Sequence, residues 1–148
     1  VIDVSGHTIG HIAFILDNDK AAFTADSLMA LGCGRVFEGT HLMMWESLSK
    51  LAALPDETIV YSAHEYTLAN AKFAASVDVA NPNLDVRIME VKAKRDRGEA
   101  TSPSTIAMEK ATNPFLRAAD PSIRAYLDMD AASDAEVFTE IRKRKDNF

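Results

Sequence analysis

The chain has four histidines, His7, His11, His41 and His64, and two of them stand where chemistry is ordinarily done. His7 and His64 each follow a β-prone run, and Asp26 follows a third such run, Ala21–Thr24. Open α/β folds present their ligands just beyond the C-terminal ends of strands, so these three side chains could converge on one point. Imidazole nitrogen and carboxylate oxygen suit zinc, iron or manganese at sites that activate water. A lone histidine is more often a hydrogen-bonded structural residue, and spacing alone leaves that alternative open. His11 begins a strand and is expected to orient the His7 loop, while His41, in the first turn of a helix, is expected to face solvent. Cys33 lies between two glycines without a nearby base, which reads as a loop residue rather than a nucleophile.

The elements that must position these groups change character along the chain. Val1–Val4 reads as a strand already in progress, so the chain is expected to be a fragment that starts inside a secondary-structure element. Ile12–Leu16 is an apolar run of strand length, closed by the turn-forming Asp17-Asn18-Asp19 and followed by the strand Ala21–Thr24. Gly32-Cys33-Gly34 reads as a loop free to take unusual backbone angles. A helix starts from the N-cap Thr40, carries Leu42, Trp45, Leu48, Leu51 and Ala52 at helical spacing, and ends before Pro55. Thr58–Ser62 is a further strand, with His64 just past its end. From Thr67 onward the pattern predicts helices only, at Ala69–Val77, Leu84–Arg97, Ile106–Ala111, Pro121–Leu127 and from Ser133 to Lys145. Thr101–Thr105 reads as an irregular linker, and Glu136, three residues after Ser133, completes a capping box. The expected division is an α/β part over residues 1–66 and a helical part over 67–148.

Composition narrows the possible functions. A hydrophobic content of 47% with 26% charged residues is that of a soluble globular protein, and no run approaches the roughly 18 apolar residues of a membrane span. A net charge of −6 argues against nucleic acid as a partner. A single cysteine cannot make an internal disulfide, which fits a cytoplasmic location. Within this acidic chain, Arg142-Lys143-Arg144-Lys145 is strongly basic. Arg142 and Lys145, spaced i to i+3, share a helix face. They either hold an anion or complement the helix dipole, the latter worth about 0.3–1 kcal/mol each.

Several segments occur together in a characteristic order: Gly6-His7-Thr8-Ile9-Gly10-His11, Phe23-Thr24-Ala25-Asp26-Ser27-Leu28, Gly32-Cys33-Gly34-Arg35-Val36-Phe37-Glu38-Gly39-Thr40 and His64-Glu65-Tyr66-Thr67. With Asn113-Pro114-Phe115-Leu116-Arg117 and the closing Arg142–Phe148, the set resembles glyoxalase II, the hydroxyacylglutathione hydrolases of the metallo-β-lactamase fold. The resemblance implies the second half of an αββα sandwich followed by an all-helical C-terminal domain. It implies two divalent metal ions, with zinc first and iron or manganese possible, His7 on one, His64 on the other and Asp26 bridging them. Arg35, Phe37 and Tyr66 match positions lining the glutathione pocket, and Arg142 and Lys145 match those holding the glutathione carboxylate. Ala25 stands where the family more usually has glycine, Ser5 where proline is common, Phe37 where some members have tyrosine and Arg35 where some have lysine. The family's T-H-x-H-x-D-H motif is absent, so the implied metal site is incomplete and the opposing sheet is missing. Ile12–Leu16 and Thr58–Tyr61 would then expose one apolar face.

The implied activity is hydrolysis of S-D-lactoylglutathione by metal-activated water, with a small-molecule glutathione thioester as the partner and a monomeric intact enzyme. Two alternatives stand beside it. One is a glutathione-persulfide dioxygenase of the same fold, which the long helical tail disfavours. The other is a non-catalytic fragment or binding module, because His7 and His64 leave each metal short of the usual three protein ligands.

Overall fold

The computed structural model describes residues 1–148. Strands β1 (Ile2–Asp3), β2 (Ile12–Leu16), β3 (Ala21–Ala25), β6 (Ile59–Ser62) and β7 (Ser104–Thr105) form one sheet in the order β1-β2-β3-β6-β7. β3 and β6 are parallel and the other pairs antiparallel. A two-stranded hairpin, β4 (Leu28–Met29) with β5 (Gly32–Cys33), follows β3 directly. Its β5 occupies part of the stretch expected to be an open loop.

Six α-helices complete the fold: α1 (His41–Ala52), α2 (Thr67–Val77), α3 (Pro82–Asp96), α4 (Ile106–Thr112), α5 (Pro121–Leu127) and α6 (Asp134–Asp146). No helix is long and apolar enough to cross a membrane. The Thr40 hydroxyl caps α1 by accepting from the Met43 N–H, and the Ser133–Glu136 capping box opens α6. The buried stripe of α1 is Met44, Ser47, Leu48 and Leu51. Leu42, expected on that stripe, is exposed, because the helix turns its Met44 side inward to the main apolar cluster.

The region beyond Thr67 is not helical throughout. Ser104 and Thr105 leave the expected irregular linker to pair with Val60 and Ile59, adding an edge strand to the sheet. The largest apolar cluster accordingly mixes sheet residues such as Ala13 and Val60 with Phe73, Ile106, Phe115, Phe138 and Ile141 from the later helices.

Strand alternation divides the sheet into two faces. Ala13, Ala22 and Val60 are fully or almost fully buried, whereas Ile12, Phe14, Leu16, Phe23 and Tyr61 are exposed. Phe14 pairs with Phe23 and Phe23 with Tyr61, so three rings cross the strands in one row, the last two stacked at 5.0 Å.

Candidate active site

The parallel pairing of β3 and β6 brings their C-terminal ends side by side. Asp26 follows one and His64 the other, and His64 Nε2 lies 3.1 Å from Asp26 Oδ1. Ala25, immediately before Asp26, has a φ of +46°, a left-handed conformation that non-glycine residues adopt at a cost. A bulge between Phe23 and Ala25 accompanies it and turns the chain out of the ladder.

His7 reaches the same point from the turn after β1. Its Nε2 lies 3.8 Å from Asp26 Oδ2, so each oxygen of that carboxylate faces a different imidazole. His7 Nδ1 lies 2.7 Å from the Arg35 carbonyl oxygen. A carbonyl only accepts, so Nδ1 carries a proton and Nε2 is the nitrogen directed towards Asp26. Gly34 makes this approach possible: a Cβ there would stand 2.1 Å from the Asp26 carbonyl oxygen and 3.0 Å from His7 Nδ1.

His11 lies behind the cluster. Its Nε2 accepts the Asp26 backbone N–H at 3.3 Å, which leaves Nδ1 protonated to donate to the Thr8 hydroxyl at 3.2 Å. One ring thus ties the His7 turn to the Asp26 turn. His41 is half-buried at the start of α1 and lines no part of the cavity. Burial and the nearby Lys143 charge lower its pKa.

A cavity of about 380 Å³ opens over these groups. His7, Asp26 and His64 line it together with Arg35, Phe37, Tyr66, Arg142 and Lys145, so every candidate side chain meets at one place. Tyr66 stacks on His64 at 4.8 Å, and Phe37 lies 5.2 Å from the His7 ring. Arg142 is 4% exposed, donates from Nη1 to the Cys33 carbonyl at 3.0 Å, and stands over the Phe115 ring. Its Nε is buried without a partner. Lys145 Nζ lies 5.2 Å from the centre of the Phe73 ring and 5.6 Å from that of Phe148. Burial, and then the Arg142 charge, lower the Lys145 pKa.

The match to known families is decided by residues 65–148, which fit the family described as hydroxyacylglutathione hydrolase C-terminus, while residues 1–64 fit the metallo-beta-lactamase superfamily. The chain belongs to the hydroxyacylglutathione hydrolase family. It is 66% identical over 148 residues to a hydroxyacylglutathione hydrolase of Roseobacter denitrificans and 63% identical to one of Ruegeria pomeroyi. In each case the match covers 100% of this chain and 58% of the relative, so the chain spans a little over half the length of these relatives. Among solved structures, ETHE1 from Myxococcus xanthus superposes with a TM-score of 0.54 at 26% identity, over 93% of this chain and 41% of that one. The architecture, a mixed sheet followed by a helical region, is that of the metallo-β-lactamase fold.

Membership of this superfamily implies divalent-metal binding. The donors at the cavity fit part of such a site, because Asp26 offers one oxygen to each histidine and hydrogen bonding fixes the free nitrogen of His7. By themselves these side chains do not make a group of three or more His, Cys, Asp or Glu that could hold a metal ion. At the cavity, the donors are therefore two imidazoles, His7 and His64, and one carboxylate, Asp26.

Sequence reasoning passed over Asn70, Met29 and Gly34, which also line the cavity. Asn70 lies one helical turn after Tyr66, a spacing that could have placed it on the same wall. Cys33 lines the cavity as well, but burial pushes its thiol up to about 11, so it stays protonated at neutral pH and is a poor nucleophile.

Proposed function

We propose that this chain supplies the glutathione-binding wall and part of the metal site of a thioester hydrolase. The substrate class is S-2-hydroxyacylglutathiones, S-D-lactoylglutathione first, split to glutathione and D-lactate. The observation that carries this reading is the meeting of His7, Asp26 and His64 with Arg35, Tyr66, Arg142 and Lys145 around one cavity.

His7 and His64 would each hold one divalent metal, zinc first, with Asp26 between them. When bound, such metals supply water activated at neutral pH and polarise the thioester carbonyl. The chain's own residues do the rest. The Arg35 carbonyl keeps His7 in the tautomer whose Nε2 is free. Arg35, Arg142 and Lys145 form a cationic wall for the carboxylates of the glutathione moiety. The rings of Phe37 and Tyr66 flank His7 and His64 and would bound the pocket beside the thioester. No side-chain nucleophile is required, which agrees with the high pKa of Cys33.

The test is hydrolysis of S-D-lactoylglutathione by a protein containing this chain, followed by thiol release with zinc added and after chelation. Zinc-dependent release supports the reading, and release insensitive to chelation overturns it. A second reading, binding without turnover, is favoured by the small donor set at the cavity. Under it, and as expected from one histidine per metal, the 148-residue chain alone binds glutathione but hydrolyses the thioester barely above background. Near-native turnover by the chain alone would exclude it.

A further inference from the structure

Asp146 stands in the last turn of α6 and is not among the residues lining the cavity. Its Oδ1 accepts from Arg142 Nη2 at 3.0 Å and from Arg35 Nε at 3.2 Å. Its backbone carbonyl accepts from Arg35 Nη2 at 3.3 Å. One carboxylate oxygen thus joins two guanidiniums that both face the cavity.

The two arginines depend on it unequally. Arg142 is buried and also anchored on the Cys33 carbonyl. The Arg35 side chain is 52% exposed, and every hydrogen bond it makes goes to Asp146. Asp146 is the only carboxylate paired with either arginine, and Lys145 has no ion-pair partner. Without Asp146, three cations would crowd one wall, and the exposed arginine is the one free to leave.

We propose that Asp146 is a positioning residue, which holds Arg35 beside Arg142 so that their remaining N–H donors meet one ligand carboxylate together. The inference rests on the glutathione-binding reading above and identifies how that wall is assembled. Two effects of the Asp146 charge oppose each other. As a nearby anion it weakens the attraction of the wall for a carboxylate, and solvent at this partly exposed site screens that repulsion. As an anchor it removes the rotamer freedom that a long exposed side chain would otherwise lose on binding. Anchoring wins, because the anchor is direct and shared while the repulsion acts from behind the wall.

The two effects give substitutions of opposite sign, which makes calorimetric titration with S-hexylglutathione a clean test. Asp146→Asn is expected to weaken binding about fivefold or more, with Asp146→Glu recovering most of the loss. Adding Arg35→Ala to Asp146→Asn should weaken binding much less than Arg35→Ala alone, since Asp146→Asn already takes away the charge-assisted contact that Arg35→Ala removes. Equal or tighter binding by Asp146→Asn, or full additivity with Arg35→Ala, overturns the inference and leaves the function reading intact. Failure of the unsubstituted chain to bind S-hexylglutathione overturns both. Thermal unfolding of each variant separates loss of folding from loss of binding, and Asp146→Glu keeps the charge should Asp146→Asn unfold.

Discussion

His7 and Arg35 are joined by a 2.7 Å hydrogen bond from a ring nitrogen to a backbone carbonyl, across 28 residues of chain. The same Arg35 turns its side chain to the other end of the cavity and bonds Asp146. One residue therefore fixes a candidate metal ligand with its backbone and a candidate ligand-binding cation with its side chain. Displacing the segment around Arg35 disturbs both ends of the cavity at once.

The metal reading predicts zinc uptake by the chain in equilibrium dialysis near neutral pH. His7→Ala or His64→Ala should each lower apparent affinity about tenfold or more. Asp26→Asn should do so too, since it removes the one charge between the two imidazoles. Unchanged uptake in all three variants would show that bound zinc resides elsewhere.

Ala25 carries a backbone conformation that suits glycine. Ala25→Gly removes the Cβ penalty in the folded state but frees the unfolded chain, and the first term is the larger. A net stabilisation of up to about 1 kcal/mol is expected from denaturant unfolding. A loss of stability would mean that the Ala25 methyl packs better than its strained φ implies.

Glu109 is fully buried and paired with Arg87 at 2.5 Å. Its Oε2 also accepts from the Leu31 N–H and from Asn113 Nδ2, at 2.9 Å each, and Asn113 Nδ2 reaches the Gly32 carbonyl. This network ties α4 to the β4–β5 hairpin that leads into Cys33, Gly34 and Arg35. Glu109→Ala strands a buried guanidinium and should cost about 3–5 kcal/mol in unfolding free energy. A change under 1 kcal/mol would mean that water replaces the carboxylate.

Under the glutathione-binding reading, Lys145 would hold an anion only while protonated, and burial lowers its pKa below the usual 10.5. Affinity for S-hexylglutathione is therefore fully present below the lowered value. It falls as pH rises through that value, earlier than an ordinary lysine would allow. Lys145→Arg keeps its charge throughout that range, so the ratio of the two affinities should drift with alkaline pH. A constant ratio would place Lys145 outside the ligand's reach.

The candidate site was more legible in the sequence than the framework behind it. Histidine and aspartate just past β-prone runs pointed to one location, and the motif order supplied the basic and aromatic residues that line the same cavity. Nothing in the sequence marks Arg87 or Glu109, because their burial depends on partners 22 and 78 residues away. The strand at Ser104–Thr105 is two residues long, too short to show a period. Leu42 and Met44 both fit a helical stripe, and only the docking of α1 decides which of them is inside. Asp146 directly follows the basic run Arg142–Lys145, and its pairing with Arg35, 111 residues away, has no sequence signal.

The contacts of Arg142 with Cys33 and of Asp146 with Arg35 close loops of 109 and 111 residues. Closures of that length cost more chain entropy than local contacts do, so the cavity wall depends on the sheet and the intervening helices being in place. The converse holds for local opening. Fraying of the final turns of α6 would erase the cationic wall while the sheet remains protected from hydrogen exchange. Ligand binding in this chain thus reports on whether its last helix is docked.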